Sequence, residues 1–126
     1  MNHLRSYRRK YTITIRLIHK GSVFSWTAII SACVDFAKDR EALETYELMV
    51  QDGVEPDACT FLSLFKACAN LLDLDQGKRL HTEAQQKGFT SNLFVASTLV
   101  SMYGKCGDIV LAEIVFKEME VRDVAA

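Results

Sequence analysis

The feature that most constrains the fold of this chain is an apolar pattern that recurs every 35 residues. The equivalent sets are Ile29, Ile30 and Cys33; Leu64, Phe65 and Cys68; and Leu99, Val100 and Tyr103. Small residues, which let two helices approach closely, recur at Ala42, Gly77 and Ala112. A repeat of about 20 to 50 residues is typical of stacked arrays, in which no unit buries its apolar face alone. We therefore expect a series of similar units.

Two helices are predicted within the first unit. Ser25 can cap a helix that reaches about Phe36, since its hydroxyl can accept from a free amide of the first turn. Asp39 offers a second cap, and apolar residues over about 40–52 then recur at the spacing of one helix face. Gly53 tolerates the left-handed conformation that ends such a helix. Each unit is therefore predicted to be a helical hairpin.

The later units repeat this organisation. Their predicted helices cover about 60–70, capped by Thr60; 74–87, closed by Gly88; 94–103; and 108–120, capped by Asp108. The predicted fold class is all-α, an α-solenoid of three stacked helix-turn-helix repeats. Since terminal repeats normally carry a polar outer face, we expect this chain to be a fragment of a longer array or to need a partner.

The first 22 residues depart from the repeat. They hold six basic residues and no acidic one, and residues 11–17 alternate apolar and polar side chains, which locally indicates a strand. A basic, acid-free start also fits an organelle transit peptide. An eroded helix of a preceding repeat and sequence from outside the true reading frame are the alternatives. The other residues include nine basic and sixteen acidic side chains, a net charge of −7, which excludes a strongly basic nucleic-acid domain.

Composition and motifs exclude several other classes of protein. No apolar run approaches the roughly 20 residues that cross a bilayer. The four cysteines show no C-x-x-C pair and the three histidines lie far apart, so neither a metal site nor a cofactor is predicted. The motifs of zinc deaminases, P-loop proteins and α/β-hydrolases are absent from the sequence. His81 is expected to pack in the core rather than act as a general base, and no enzymatic activity is predicted.

Three stretches resemble the pentatricopeptide repeat, specifically the plant type in which three unit lengths alternate. They are Val23-Phe-Ser-Trp-Thr-Ala-Ile-Ile30 with Gly53-Val-Glu-Pro-Asp57; Gln76-Gly-Lys-Arg-Leu-His81; and Met102-Tyr-Gly-Lys-Cys-Gly107. The implied divisions are a divergent segment 1–22, a standard repeat 23–57, a long-type repeat 58–92, a short repeat 93–123 and the start of a further repeat at 124–126. The peptide-binding tetratricopeptide repeat is less similar, because its W-x-x-L-G pattern does not continue from Trp26.

The resemblance implies that the chain binds single-stranded RNA, one nucleotide per repeat. The implied base-reading pairs are the fifth and last residues of each unit: Thr27 with Asp57, Leu62 with Asn92, and Ser97 with Asp123. A small hydroxyl with an aspartate resembles the family pair that prefers guanine, whereas a leucine cannot hydrogen-bond a base. The implied base-stacking residues are Phe24, Cys59 and Phe94, of which the cysteine is a poor substitute for an aromatic ring. If the family resemblance is set aside, Thr27 and Ser97 are explained as polar residues on a solvated face, and Asp57 and Asp123 as turn residues before the next helix.

Charge placement favours the same face. Taken as about 25–37, 60–70 and 94–105, the first helices carry Asp35, Lys66 and Lys105, a net charge of +1, whereas the predicted second helices have a net charge of −5. A polyanion is therefore expected to approach Lys66 and Lys105. The resemblance implies a role in an organellar RNA processing or editing factor, in the mitochondrion or chloroplast, with editing-complex proteins as further partners. The alternative is a truncated helical-repeat scaffold that binds protein partners without RNA activity.

Overall fold

The computed structural model describes residues 22–125, with side chains for residues 22–121. This part of the chain is entirely helical and contains no strand. The helices are α1 (Val23–Asp35), α2 (Asp39–Gln51), α3 (Ala58–Leu71), α4 (Leu74–Gln86), a short 3-10 helix (Phe89–Ser91), α5 (Leu93–Lys105) and α6 (Ile109–Ala125). The all-α prediction is confirmed, and the local strand signal at 11–17 lies outside the described residues.

Three antiparallel hairpins stack side by side. α1 packs on α2, α3 on α4 and α5 on α6, while α3 also packs on both α1 and α5. The first helices are parallel, because Thr27 contacts Thr60 and Ser31 contacts Ser63 through hydroxyl hydrogen bonds of 2.8 Å and 2.7 Å. The α-solenoid predicted from the 35-residue period is therefore observed.

The recurring apolar stripe forms the core between the first helices. Its central members, Ile30, Leu64, Phe65 and Leu99, are fully buried. The small residues of the second helices are buried as expected, and a Cβ atom at Gly77 would lie only 2.6 Å from the Met102 sulfur. The 35-residue period therefore arises from two features of the fold, the buried apolar stripe and the close approach of the helices at the small residues.

Three of the predicted helix caps are wrong. The cap of α3 is Asp57 instead of Thr60, and the other two errors lie in the first hairpin. Ser25 is buried inside α1, and the cap is Ser22, whose hydroxyl accepts from the Ser25 amide at 3.3 Å. Asp39 is the first residue of α2 rather than its cap, and its carboxylate accepts a hydrogen bond of 3.0 Å from the Asn70 side chain. Asp39 therefore ties the first hairpin to the second.

The helix ends depend on left-handed residues. Glycine supplies this conformation at Gly53 and Gly88, as predicted, whereas Ala37 and Leu72 adopt it with φ angles of 60° and 55°. α6 continues to Ala125 instead of ending near residue 120, since no glycine or proline follows Gly107 to interrupt it.

A histidine and a tyrosine link the second hairpin to the third. His81 Nδ1 lies 2.6 Å from the Tyr103 hydroxyl, and the two rings are 5.6 Å apart. His81 is half-buried and hydrogen-bonded, which supports the expectation of a packing role. Burial lowers the pKa of His81 below its ordinary value, although Glu118 opposes this shift. The neutral imidazole is therefore the form that fits the folded protein.

We expect acid to destabilise the fold through His81. Because its folded-state pKa lies below the unfolded value of about 6.5, the unfolded chain binds the proton more readily and stability falls as pH drops through that value. A single group contributes a slope of at most about 1.4 kcal/mol per pH unit. Urea unfolding of wild type and His81→Gln between pH 7 and 5 measures this slope. Identical slopes for the two proteins would contradict the assignment.

We expect Ala37→Gly to raise stability by about 1 kcal/mol, because glycine avoids the steric cost of the left-handed conformation. The matched control is Ala32→Gly, an exposed position inside α1, which should lower stability by about 1 kcal/mol. Thermal unfolding followed by circular dichroism checks both. A loss of stability in Ala37→Gly would show that the end of α1 differs from this description.

Candidate nucleic-acid interface

The first turns of α1, α3 and α5 expose the side chains predicted to stack on bases. Phe24 is 80% exposed and Phe94 is 76% exposed, and Cys59 is also open to solvent. Since the three helices are parallel, these residues lie at the same end of the stack. Exposed phenylalanine rings at equivalent positions of the first and third hairpins offer surfaces suited to flat aromatic ligands, and the middle hairpin has the small Cys59 side chain there.

The first predicted pair is joined by a third residue. Asp57 caps α3 by accepting from the Thr60 amide at 3.1 Å, and the Thr60 hydroxyl contacts both the Asp57 amide and its Oδ1 atom at 3.1 Å. The Thr60 hydroxyl also lies 2.8 Å from that of Thr27. Thr60, predicted as the cap, is therefore the third residue of a reciprocal capping box. We call the three residues Thr27, Thr60 and Asp57 the hydroxyl bridge.

The second predicted pair differs from the first. Asn92 caps α5, and its Oδ1 atom accepts from the amides of Phe94 and Val95 at 2.9 Å and 3.2 Å. Leu62 is half-buried and packs against the core. Leu62 therefore offers a base no hydrogen bond, and the weak reading expected of this pair stays a prediction.

The third pair is only partly described. Ser97 lies on α5 and lines an open cleft of about 360 Å³ between α3 and α5, which Lys66 and Lys105 also line. Asp123 lies in α6, and its side chain falls outside the described residues. The structure therefore brings Ser97 together with both predicted backbone contacts, while its pairing with Asp123 stays a prediction.

The charges of the observed helices follow the predicted division. α1, α3 and α5 carry Asp35, Lys66 and Lys105, whereas the second helices hold ten acidic and five basic residues. Lys66 and Lys105 are exposed and form no salt bridge within residues 22–121. The first-helix face is thus the one that repels a polyanion least.

The described residues include no group of His, Cys, Asp or Glu that could hold a metal ion. Within residues 22–125, no helix is long and apolar enough to cross a membrane. Burial, with a smaller contribution from Asp73, raises the pKa of Cys68 to about 12, and burial also raises the pKa of Cys106. Both thiols are therefore protonated at neutral pH and are weak nucleophiles.

Sequence comparisons extend these observations. One family model, described as the PPR repeat family, matches residues 21–70, and a PPR repeat model matches residues 94–124. A chloroplastic pentatricopeptide repeat-containing protein of Arabidopsis thaliana is 41% identical over 104 residues, which are 82% of this chain and 17% of the relative. Another Arabidopsis thaliana pentatricopeptide repeat-containing protein is 36% identical over 125 residues, 99% of this chain and 14% of the relative. This chain therefore spans less than a fifth of the length of these two relatives.

Substitutions at Asp57 should separate capping from any role in binding. Asp57→Ala removes the side-chain acceptor at the start of α3 and is expected to cost about 1 kcal/mol of folding stability. Asp57→Asn keeps an acceptor oxygen and should cost only a small part of that, because asparagine is an equally good cap. Urea unfolding of the three proteins tests this order. Equal losses in both variants would mean that the charge, and not the cap, stabilises this helix.

Proposed function

Since this chain belongs to the pentatricopeptide repeat family, we propose that its three hairpins form a sequence-selective module that binds single-stranded RNA. The observation that carries this proposal is the joint position of Phe24, Thr27 and Asp57. An exposed ring, a hydroxyl and a carboxylate lie around the first turns of neighbouring parallel helices. The ring can stack on any base, and the two polar groups can hydrogen-bond to its edge.

The three units differ in what they offer a base. Thr27 with Asp57, and Ser97 with Asp123, are proposed to prefer guanine. Leu62 with Asn92 is proposed to be a weak reader or a spacer. Phe24 and Phe94 supply stacking surfaces, and Cys59 supplies a small one. In this arrangement the outer units select the sequence and the middle unit sets the spacing between the selected bases.

Lys66 and Lys105 are proposed to contact phosphates. Both line the cleft that also contains Ser97, so a strand whose base meets the third unit would pass between them. Two cations are few for a polyanion, and three units hold only about three nucleotides. Binding is therefore expected to be weak and to depend on salt.

We further propose that the module belongs to a longer plant protein of the type with alternating repeat lengths. That protein would process or edit RNA in the chloroplast or the mitochondrion, with editing-complex proteins as further partners. The chloroplastic name of one relative supports an organellar setting. We assign the hairpins recognition and no chemical step of their own.

A second candidate function is a scaffold that binds other helical proteins. The observation that favours it is the apolar surface of the last hairpin, where several large side chains of α6 are exposed. They are Ile109, Val110, Ile114, Phe116 and Val121. Exposed apolar side chains along one helix are typical of a surface that packs against another element.

We expect the chain to bind short guanine-containing RNA with a clear salt dependence. If Lys66 and Lys105 each displace one counterion, the logarithm of the association constant should fall with the logarithm of salt concentration with a slope of about −1.4. Lys66→Gln should reduce this slope to about −0.7. Lys78→Gln on α4 is the matched control and should leave it unchanged. Fluorescence anisotropy at several salt concentrations measures all three slopes.

Asp57→Asn should change the base preference without abolishing binding, because the amide adds a donor where the carboxylate only accepts. The matched control is Asp75→Asn, an exposed position on α4. Equal affinity of the wild-type chain for guanine-containing and guanine-free RNA would exclude the proposed module. Association with a helical partner that Phe116→Glu disrupts would then favour the scaffold.

A further inference from the structure

We propose that Thr60 is a positioning residue for base selection, which fixes the Thr27 hydroxyl as a hydrogen-bond acceptor toward the base. This inference rests on the proposed RNA-binding function and adds a residue to it. Thr60 itself is 0% exposed and cannot touch RNA. Its hydroxyl nevertheless contacts both members of the first base-reading pair.

Counting protons fixes the direction of each bond in the hydroxyl bridge. A threonine hydroxyl has one proton to donate and two lone pairs to accept with. The Asp57 amide is a donor only, so it occupies one lone pair of the Thr60 oxygen. The ionised Asp57 Oδ1 is an acceptor only and takes the Thr60 proton in a charge-assisted bond. The remaining Thr60 lone pair can only receive the Thr27 proton, across 2.8 Å.

The consequence for Thr27 is a hydroxyl whose proton is already used. Toward a base it presents lone pairs, and so does the second carboxylate oxygen of Asp57, which forms no hydrogen bond within residues 22–121. The pair therefore offers acceptors alone. Among the four RNA bases, only guanine carries two neighbouring donors on its Watson-Crick edge, at N1 and N2. Thr60 thus removes the donor that would otherwise let Thr27 accommodate other bases.

The next repeat boundary lacks this device. Val95 occupies the position 35 residues after Thr60, at the same third position of its helix, and is equally buried. Asn92 caps α5 without a bridging hydroxyl, and Leu62 replaces the first hydroxyl. Valine and threonine have nearly the same shape. The second boundary is therefore a natural control, and the hydroxyl bridge can be introduced there by substituting threonine for Val95.

The test compares Thr60→Val and Thr60→Ser, both in a Ser97→Ala background that removes the third unit's hydroxyl. RNA trinucleotides carrying guanosine, adenosine or 6-thioguanosine at one position are titrated and followed by NMR. Thr60→Ser should keep the preference for guanosine over adenosine, and Thr60→Val should reduce it about fivefold, the value of one hydrogen bond. In 6-thioguanosine both donors remain while the O6 acceptor is weakened. The Thr60-containing protein should bind it as well as guanosine.

The failures of the two proposals are distinguishable. If the Ser97→Ala protein itself shows no guanosine preference, the proposed base reading by the first pair is wrong. If that preference exists but Thr60→Val keeps it, or loses affinity equally for all RNAs, only the role of Thr60 is wrong. A strong loss with 6-thioguanosine would show that Thr27 donates, and would also overturn the inference.

Two further measurements extend the test, and the second does not depend on the folding of Thr60→Val. In the RNA-free protein, side-chain couplings of Thr27 should report one rotamer in the wild type and in Thr60→Ser, and an average over rotamers in Thr60→Val. In the second unit, Leu62→Thr with Asn92→Asp should gain about fivefold more guanosine preference when Val95→Thr is added. Equal preferences with and without Val95→Thr would overturn the inference.

Discussion

The structure depends on the parallel packing of α1, α3 and α5 against one another. Their apolar stripes meet in a continuous buried seam, with Leu64 and Phe65 in the middle and Ile30 and Leu99 on either side. Burying apolar side chains is the dominant favourable contribution to folding, and here contacts between hairpins contribute beside those within each hairpin. The second helices then cover the outside of this seam. Each hairpin is stable because its neighbours complete its core.

The same packing sets the surface chemistry. Helices that run parallel bring their first turns to one end, so the capping groups of successive hairpins and the exposed rings of the first and third hairpins lie at that end. Phe24 and Phe94 stay in solvent because they lie on a different face of the helix from their buried neighbours Trp26 and Val95. Polar contacts between hairpins, such as those of Tyr46 with Glu83 and Asp39 with Asn70, hold the register of the stack. The exposed rings and the buried core residues therefore occupy different faces of the same first turns.

Sequence periodicity predicted most of the fold because core stripes and close crossings obey simple spacing rules. The helix starts were harder, since Ser22, Ser25, Asp57 and Thr60 all have side chains that can cap. The choice between them depends on which residue faces the neighbouring helix. Asp57 and Thr60 have the spacing of a capping box, but Thr60 stands where the usual sequence signal has Glu or Gln. The contact of Thr60 with Thr27 could not be predicted, because it joins helices whose relative rotation is set by packing.

Asp57 caps the helix that follows it, and in the predicted division it is also the last residue of the preceding unit. A cut between residues 57 and 58 would therefore divide a structural element, although it respects the sequence period. If residues 23–57 were exchanged as a whole for another 35-residue repeat, Asp57 would be replaced while the first turn that it caps, with Thr60, stayed the same. Recombination inside the second helix of a hairpin, far from this junction, would instead keep Asp57 and Thr60 on the same exchanged segment.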